Sequence, residues 1–319
     1  MVENYIDSKS NHWCVIINPN ALAGKSEKLW KDFSLILEKN EIHFTPYIAN
    51  KENAGKEIAN SLCLQGFRHF MVFGGDGTVN EIVNGICSSA IDTKEVFLVS
   101  VPVGTGNDWA RTHQYSNKFD KWISDFTKGN FISHDVGMVE SVSENTVIDK
   151  RHFINIAGFG FDAAVINVMK GNKYKYFTGA VYVLSILKAL FSHKAQQMEF
   201  AATNFDIKSN VFSIAVGLCK YNGNGMKQVP AANPFDGIFD VVVIRKINKL
   251  KIIANMANLF SGKHLKLREI DVYQTDKLDI IATEPVLGEV EGEMLKQGNY
   301  SISLLPQHIN VLKVADFVN

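Results

Sequence analysis

Two short glycine-rich stretches each follow an apolar run, and each carries an acid. The first is Gly74-Gly75-Asp76-Gly77-Thr78, behind HFMVF at 69–73; the second is PVGTGND at 102–108, behind an apolar run from 96. Backbone N–H groups at the end of a strand, unobstructed by side chains and backed by a helix N-terminus, bind phosphate. An acid inside such a loop asks for more than anion binding. Its carboxylate repels phosphate unless a divalent cation, or a hydroxyl giving up its proton, lies between them. Thr78 suits an N-cap, with Glu81 three residues on at capping-box spacing, so the same spacing also describes a tight capped turn with no ligand.

A third polar loop, INPNALAGKS at 17–26, follows another apolar run and offers Asn18, Gly24 and Lys25. Three such loops at neighbouring strand ends converge on one crevice, where open parallel sheets bind ligands. Better-known phosphate loops are excluded by counting. The GKS at 24–26 lacks the P-loop's first glycine, because Pro19 stands there, and GTGNDW at 104–109 puts Trp109 where a dinucleotide loop needs a small residue. GFGFDA at 158–163 satisfies G-x-G-x-x-A but lacks the later acid that binds ribose, so it reads as a turn.

The elements that must position these loops alternate in the first part of the chain. WCVIIN (13–18), HFMVF (69–73) and VFLVSVPV (96–103) read as strands; 25–40, 54–66 and 79–89 read as helices. Strands separated by helices of that length imply a parallel sheet with crossover helices. Beyond about residue 130, apolar runs follow one another across short polar turns, which reads as antiparallel β-structure, a sandwich or a barrel, interrupted by helices at about 174–194 and 249–261. The run at 309–317 reads as a last strand returning to the first domain.

These residues resemble the diacylglycerol kinase catalytic-domain family, which includes bacterial lipid kinases and the sphingosine and ceramide kinases. The resemblance rests on GGDGTVNE (74–81), PVGTGND (102–108), Asn18-Pro19, FDGIFDV (235–241) and EGE (291–293). NAD kinases share the GGDGT, whereas the P-x-G-T-x-N-D element is that of the lipid branch. The resemblance implies an α/β N-terminal domain of phosphofructokinase/NAD kinase-like type with a parallel sheet, residues 1–131 joined by 306–319. A β-sandwich lipid-substrate domain would span 132–305. It implies ATP bound by Asn18, Pro19, Gly74, Gly75, Asp76, Gly77, Thr78, Asn80, Glu81, Gly104, Thr105, Asn107 and Asp108. It also implies Mg²⁺ held by Asn233, Asp236 and the carbonyl of Ile238. Glu293 matches the acid that deprotonates the lipid hydroxyl, while the sphingosine-kinase branch gives that role to Asp76; both assignments stand. Family members carry Asp-Gly-Glu where this chain has Glu291-Gly292-Glu293, so Glu291 joins the catalytic candidates with a carboxylate about one bond further out. Taken alone, Asp236 and Asp240 would be a turn residue and a solvated strand-edge residue.

Composition agrees with a lipid kinase and excludes other classes. Lys+Arg and Asp+Glu balance at 33 each in 319 residues, which is not the field of a nucleic-acid-binding protein. The four cysteines stand alone and read as reduced structural thiols. The acidic N-terminus is no secretory signal, and the longest apolar run is too short to span a bilayer, so a cytoplasmic location is expected. A membrane lipid must still be reached. Seven Lys or Arg and no acid lie between Arg245 and Arg268, around the apolar LKIIANMANLFS, a pattern that suits peripheral contact with an anionic leaflet. The aromatic-rich 173–194 is a second candidate for acyl contact. Two other readings share part of the pattern: a soluble NAD kinase-like enzyme, and a nucleotide- and lipid-binding protein without catalysis.

Overall fold

The apolar run Trp13–Ile17 forms strand β1, buried along its whole length. In the computed structural model, which describes residues 12–21, 26–171 and 179–314, it leads to helix α1 (Ser26–Lys39). Phe33 and Leu37 of α1 turn inward at i, i+4 spacing and are fully buried. Strand β2 (Phe44–Ile48), helix α2 (Ala54–Leu64), strand β3 (His69–Gly74), helix α3 (Asp76–Ser88) and strand β4 (Phe97–Pro102) continue the alternation. Helices α4 (Asp108–Thr112) and α5 (Phe119–Lys128) follow; the second had no counterpart in the sequence reading. It packs Trp122 edge-on against Phe33 and donates the indole N–H to the Ser100 carbonyl at 2.8 Å.

Strands β2, β1, β3 and β4 lie in that order and pair in parallel, so the direction of winding reverses beside β1, at its border with β3. Pro46 lies in β2, the outermost strand, where a missing ladder donor is tolerated. The chain divides into two units, Met1–Val136 with Pro306–Asn319, and Gly137–Leu305.

The second unit is antiparallel. Strands β5 (Asn130–Ser143) and β6 (Thr146–Phe153) form a hairpin, and β7 (Ile156–Gly160) runs straight into helix α6 (Phe161–Gly171). GFGFDA is thus a strand-to-helix junction rather than a simple turn. Helix α7 (Gly179–Ser192), strands β8 (Gln196–Ala202), β9 (Asp206–Gly217) and β10 (Phe239–Arg245) come next. Where one helix was expected at 249–261 there are two short ones, α8 (Lys249–Asn255) and α9 (Asn258–Ser261). Strands β11 (Ile270–Thr275), β12 (Lys277–Ala282), β13 (Gly288–Val290), β14 (Glu293–Met294) and β15 (Asn299–Lys313) complete the chain. Strand β9 pairs with β8, β7 and β10 in turn, and these strands bury Phe159, Phe200 and Phe239 in one core with Phe153 of β6. The end of β15 pairs in parallel with β4, Asn310 opposite Phe97. Among the described residues no helix is long and apolar enough to cross a membrane. None of the four cysteines forms a disulfide.

Candidate active site

In the first unit, three loops leave the C-terminal ends of β1, β3 and β4 and touch one another. The Asn18 side chain donates to Thr78 Oγ1 at 3.0 Å. Gly75 and Gly104 meet backbone to backbone; a Cβ built on Gly104 would stand 2.4 Å from the Gly75 Cα. Asp76 fixes the second loop to the first. Its two carboxylate oxygens accept the N–H groups of Asp108 and Trp109, both at 3.0 Å, at the start of α4. Asn107, in the left-handed region at φ 53, accepts from the Gly104 N–H at 3.0 Å and donates to the Gly104 carbonyl at 2.8 Å, cinching the second loop closed.

The capping expectation for Thr78 and Glu81 is overturned. Helix α3 begins at Asp76 with Gly75 as N-cap and no side-chain cap, and Thr78 lies inside the first turn. The Glu81 carboxylate reaches the neighbouring helix instead, accepting from Asn53 at 3.2 Å and Gly55 at 2.9 Å at the start of α2. Of the other residues assigned to ATP, Asn80 is buried and accepts from the Asn84 side chain, Pro19 accepts from Ser26, and Thr105 is exposed. Asp108 is buried, with Arg111 at 3.7 Å. Gly24 and Lys25 lie outside the described residues, as does 173–178.

Gly77 differs from its neighbours. It is exposed, its φ is not in the left-handed range, and an added Cβ would meet nothing within 4 Å. Neither packing nor backbone conformation requires glycine there.

Behind these loops the sequence concealed a support. Trp109 donates from its indole nitrogen to His134 Nε2 at 3.3 Å, and His134 Nδ1 contacts the Asp135 carbonyl. Burial lowers the His134 imidazole to about 4, so it stays neutral and its Nε2 accepts the indole hydrogen bond. Asp135, fully buried, accepts from the Gln307 N–H at 2.7 Å.

In the second unit, Val290 pairs with Glu293 across a two-residue turn made of Glu291 (φ 50) and Gly292 (φ 87). Two left-handed residues make a hairpin turn of the primed type, which suits the twist of the strands but is uncommon for Glu. A second interaction holds Glu291 there: one carboxylate oxygen accepts the N–H groups of Ile154 at 2.6 Å and Asn155 at 2.9 Å. Glu293, about half exposed, pairs with Lys170 of α6. Two acids that the sequence reading passed over lie beneath this turn. Glu289 is buried and accepts the Gly292 N–H at 2.7 Å; Asp162, at the start of α6, accepts from Gln228. Desolvation pushes Glu289 up to about 8, aided by the carboxylates of Asp162, Glu291 and Glu293, and pushes Asp162 up to about 6. Their one signal in the sequence was the acid in the GFGFDA junction.

Asp236 is exposed at a turn, where its carboxylate accepts the Ile238 N–H at 3.2 Å and Gly237 adopts φ 74. Asn233 is half-buried nearby in sequence. Asp240 corrects the solvated-edge expectation: it is buried, its Oδ1 accepts from Gln274 at 3.1 Å, and its Oδ2 has no hydrogen-bond partner. Burial, with a smaller contribution from Asp236, raises its carboxyl above the usual range.

The basic segment is less free than its sequence suggested. Lys251 and Arg268 pair with Glu269, and Arg245 pairs with Asp271. Lys249 donates to the Phe191 carbonyl at the end of α7. Yet no residue of α8 or α9 is buried, and Leu250, Ile253 and Phe260 are exposed, as are Leu184 and Phe191 of α7.

Interlocked glycine loops on a parallel sheet, with an antiparallel second unit, define a class of kinase fold. Residues 12–139 match the diacylglycerol kinase catalytic domain, and residues 155–313 match the YegS C-terminal NAD kinase beta sandwich-like domain. The chain belongs to the diacylglycerol kinase catalytic-domain family and is a kinase with an alcohol group as acceptor. It is 25% identical to YtlR of Bacillus subtilis over 316 residues, covering 94% of this chain and 99% of that protein. It is 24% identical to the diacylglycerol kinase of Staphylococcus carnosus, with 96% of each chain covered. A diacylglycerol kinase crystal structure from Bacillus anthracis has the same fold, with TM-score 0.72, 18% identity, and 97% and 98% of the two chains covered.

Proposed function

We propose that the protein transfers the γ-phosphoryl group of ATP to a hydroxyl group of a membrane lipid, with Mg²⁺ bound. Gly77 carries this reading. A glycine that neither packing nor conformation requires, exposed at the first turn of a helix, is one that lets a phosphate approach the backbone. Phosphoryl transfer asks the protein for in-line placement and charge stabilisation rather than covalent chemistry. Backbone N–H groups at 75–77 and 105–106 would receive the phosphates, with Asn18 at the margin; those of Thr78 and Gly104 are engaged within their own loops.

Asp76 has each oxygen engaged by a backbone N–H, so its role is to hold the two loops in register, with its remaining lone pairs free for water. Glu293 is the acid we assign to the acceptor's proton: it is accessible, and Lys170 orients it. Glu291 positions the turn, because its longer side chain reaches the Ile154 and Asn155 N–H groups. Asn233, Asp236 and the Ile238 carbonyl would hold Mg²⁺. Their hard oxygen donors suit that ion, and the unpartnered Asp240 Oδ2 marks a neighbourhood short of positive charge. Bound there, the ion would offset the two carboxylates.

The acceptor is a membrane lipid, and the reaction takes place on the leaflet. The outward apolar side chains of α7, α8 and α9, with Lys246, Lys263 and Lys266 carrying no acidic partner among the described residues, support peripheral attachment to an anionic surface.

Transfer of label from γ-labelled ATP, with Mg²⁺, into lipid extract presented in vesicles tests the reading. Labelled lipid that disappears in Asp76→Ala and Glu293→Gln is the expected result. Label in NAD and none in lipid would overturn the lipid acceptor.

A further inference from the structure

We propose that Glu289 is a positioning residue: through the N–H of Gly292 its carboxyl group fixes the Glu291-Gly292 turn and so sets where Glu293 presents its carboxylate. The inference rests on the kinase reading with Glu293 as the proton acceptor. The geometry is built around Gly158. Glu289 stands opposite Gly158 in the pairing of β13 with β7. A Cβ at Gly158 would lie 2.6 Å from Glu289 Oε1 and 3.3 Å from Asp162 Oδ2, so the bare glycine is what lets the two carboxyl groups share that face. Asp162 is anchored from the other side by Gln228, which also accepts from Asn222 at 2.9 Å. A polar chain thus runs from the loop at 222–228, past Gly158, to the turn that carries Glu293.

Glu289 does this work as a neutral acid. The groups around it are Asp162 and Lys170 from α6, Glu291 from the turn and Glu293 from β14. Strand β6, also packed against β13, carries Asp149, Lys150, Arg151 and His152. The charges that act on Glu289 are the three carboxylates, and Lys170 is engaged with Glu293. A buried carboxyl facing like charges, with one backbone N–H as its donor, keeps its proton at neutral pH. Ionised, it would repel Glu293 and loosen the turn. Its environment centres that change at about pH 8.

Two measurements on the full-length protein test this. The first compares kcat and KM for ATP in Glu289→Gln, a neutral isostere, and Glu289→Leu. The Gln variant should keep kcat at neutral pH within about threefold, and the parent's rate should fall on the alkaline side where that of the Gln variant does not. The Leu variant should lose kcat by on the order of 10–100-fold with KM for ATP unchanged. The second follows the Gly292 amide by NMR in protein carrying isotope-labelled glycine. Its shift should titrate near pH 8 in the parent and stay flat in the Gln variant. A Gln variant as slow as the Leu variant, a Leu variant as fast as the parent, or a Gly292 amide that stays still from about pH 6 to about 9.5 would each overturn the proposal. A titrating Gly292 amide in a protein with no kinase activity would instead remove the kinase reading and leave Glu289's hold on the turn in place.

Discussion

Asp76 and Glu289 are both acids beside glycines, and the two units treat them in opposite ways. Asp76 faces two backbone N–H groups at the start of a helix and binds one loop to another. Glu289 faces three carboxylates in a buried pocket of strands and retains its proton. The difference lies in the groups around each acid, not in the residue type: Asp76 accepts from two loop N–H groups, while burial among like charges keeps the proton on Glu289. The first arrangement locks two glycine loops together. The second builds a turn whose geometry depends on pH.

Removing Asp76 should break the first arrangement most completely. In Asp76→Ala the second loop loses its tie, and initial rates with labelled ATP should fall on the order of 10³-fold. Gly104→Ala attacks the same loops through packing. Its Cβ would press on the Gly75 backbone, which cannot give as a flexible side chain can, and denaturant unfolding should show a loss of about 2–3 kcal/mol.

The second arrangement is exposed by pH. The neutral Glu289 is buried without a charge penalty at low pH. Between about 4.5, where the unfolded chain ionises, and about 8, only the folded state holds the proton, so its contribution to stability is lost as pH rises across that window. Asp162 acts in the same direction over the lower window that ends at about 6. The unfolding midpoint of Glu289→Gln should therefore gain on that of the parent between about pH 5 and 8, by the equivalent of about 3–4 kcal/mol.

Gly77→Ala sharpens the contrast between ligand and packing roles within one loop. Unfolding should change by less than about 0.5 kcal/mol, whereas calorimetric ATP affinity should weaken about tenfold. The smallest effect belongs to the surface. Lys263→Ala should reduce co-sedimentation with anionic vesicles by about 1 kcal/mol and leave ATP binding unchanged.

Much of the first unit was legible because its signals are local. Apolar runs and turn residues located β1, β3 and β4 and the three loops at their ends, and convergence of the loops followed from parallel strand order. Helix α5 escaped because its pattern follows no marked start signal: Lys118 is its N-cap and makes no side-chain cap. Thr78 and Glu81 misled for a related reason. Their spacing fits a cap, but the helix starts two residues before Thr78, whose hydroxyl accepts from Asn18, while Glu81 accepts from the α2 N-terminus.

The sequence by itself determined the order of elements, the glycine loops and the acids within them, because propensity, periodicity and steric freedom act over a few residues. Only the tertiary structure decided what each acid faces. Asp76 meets N–H groups 32 and 33 positions away, Glu291 meets those 136 and 137 away, and Glu289 meets Asp162 across Gly158. Charge and proton affinity depend on distance and burial, and folding sets both between residues that the chain keeps far apart.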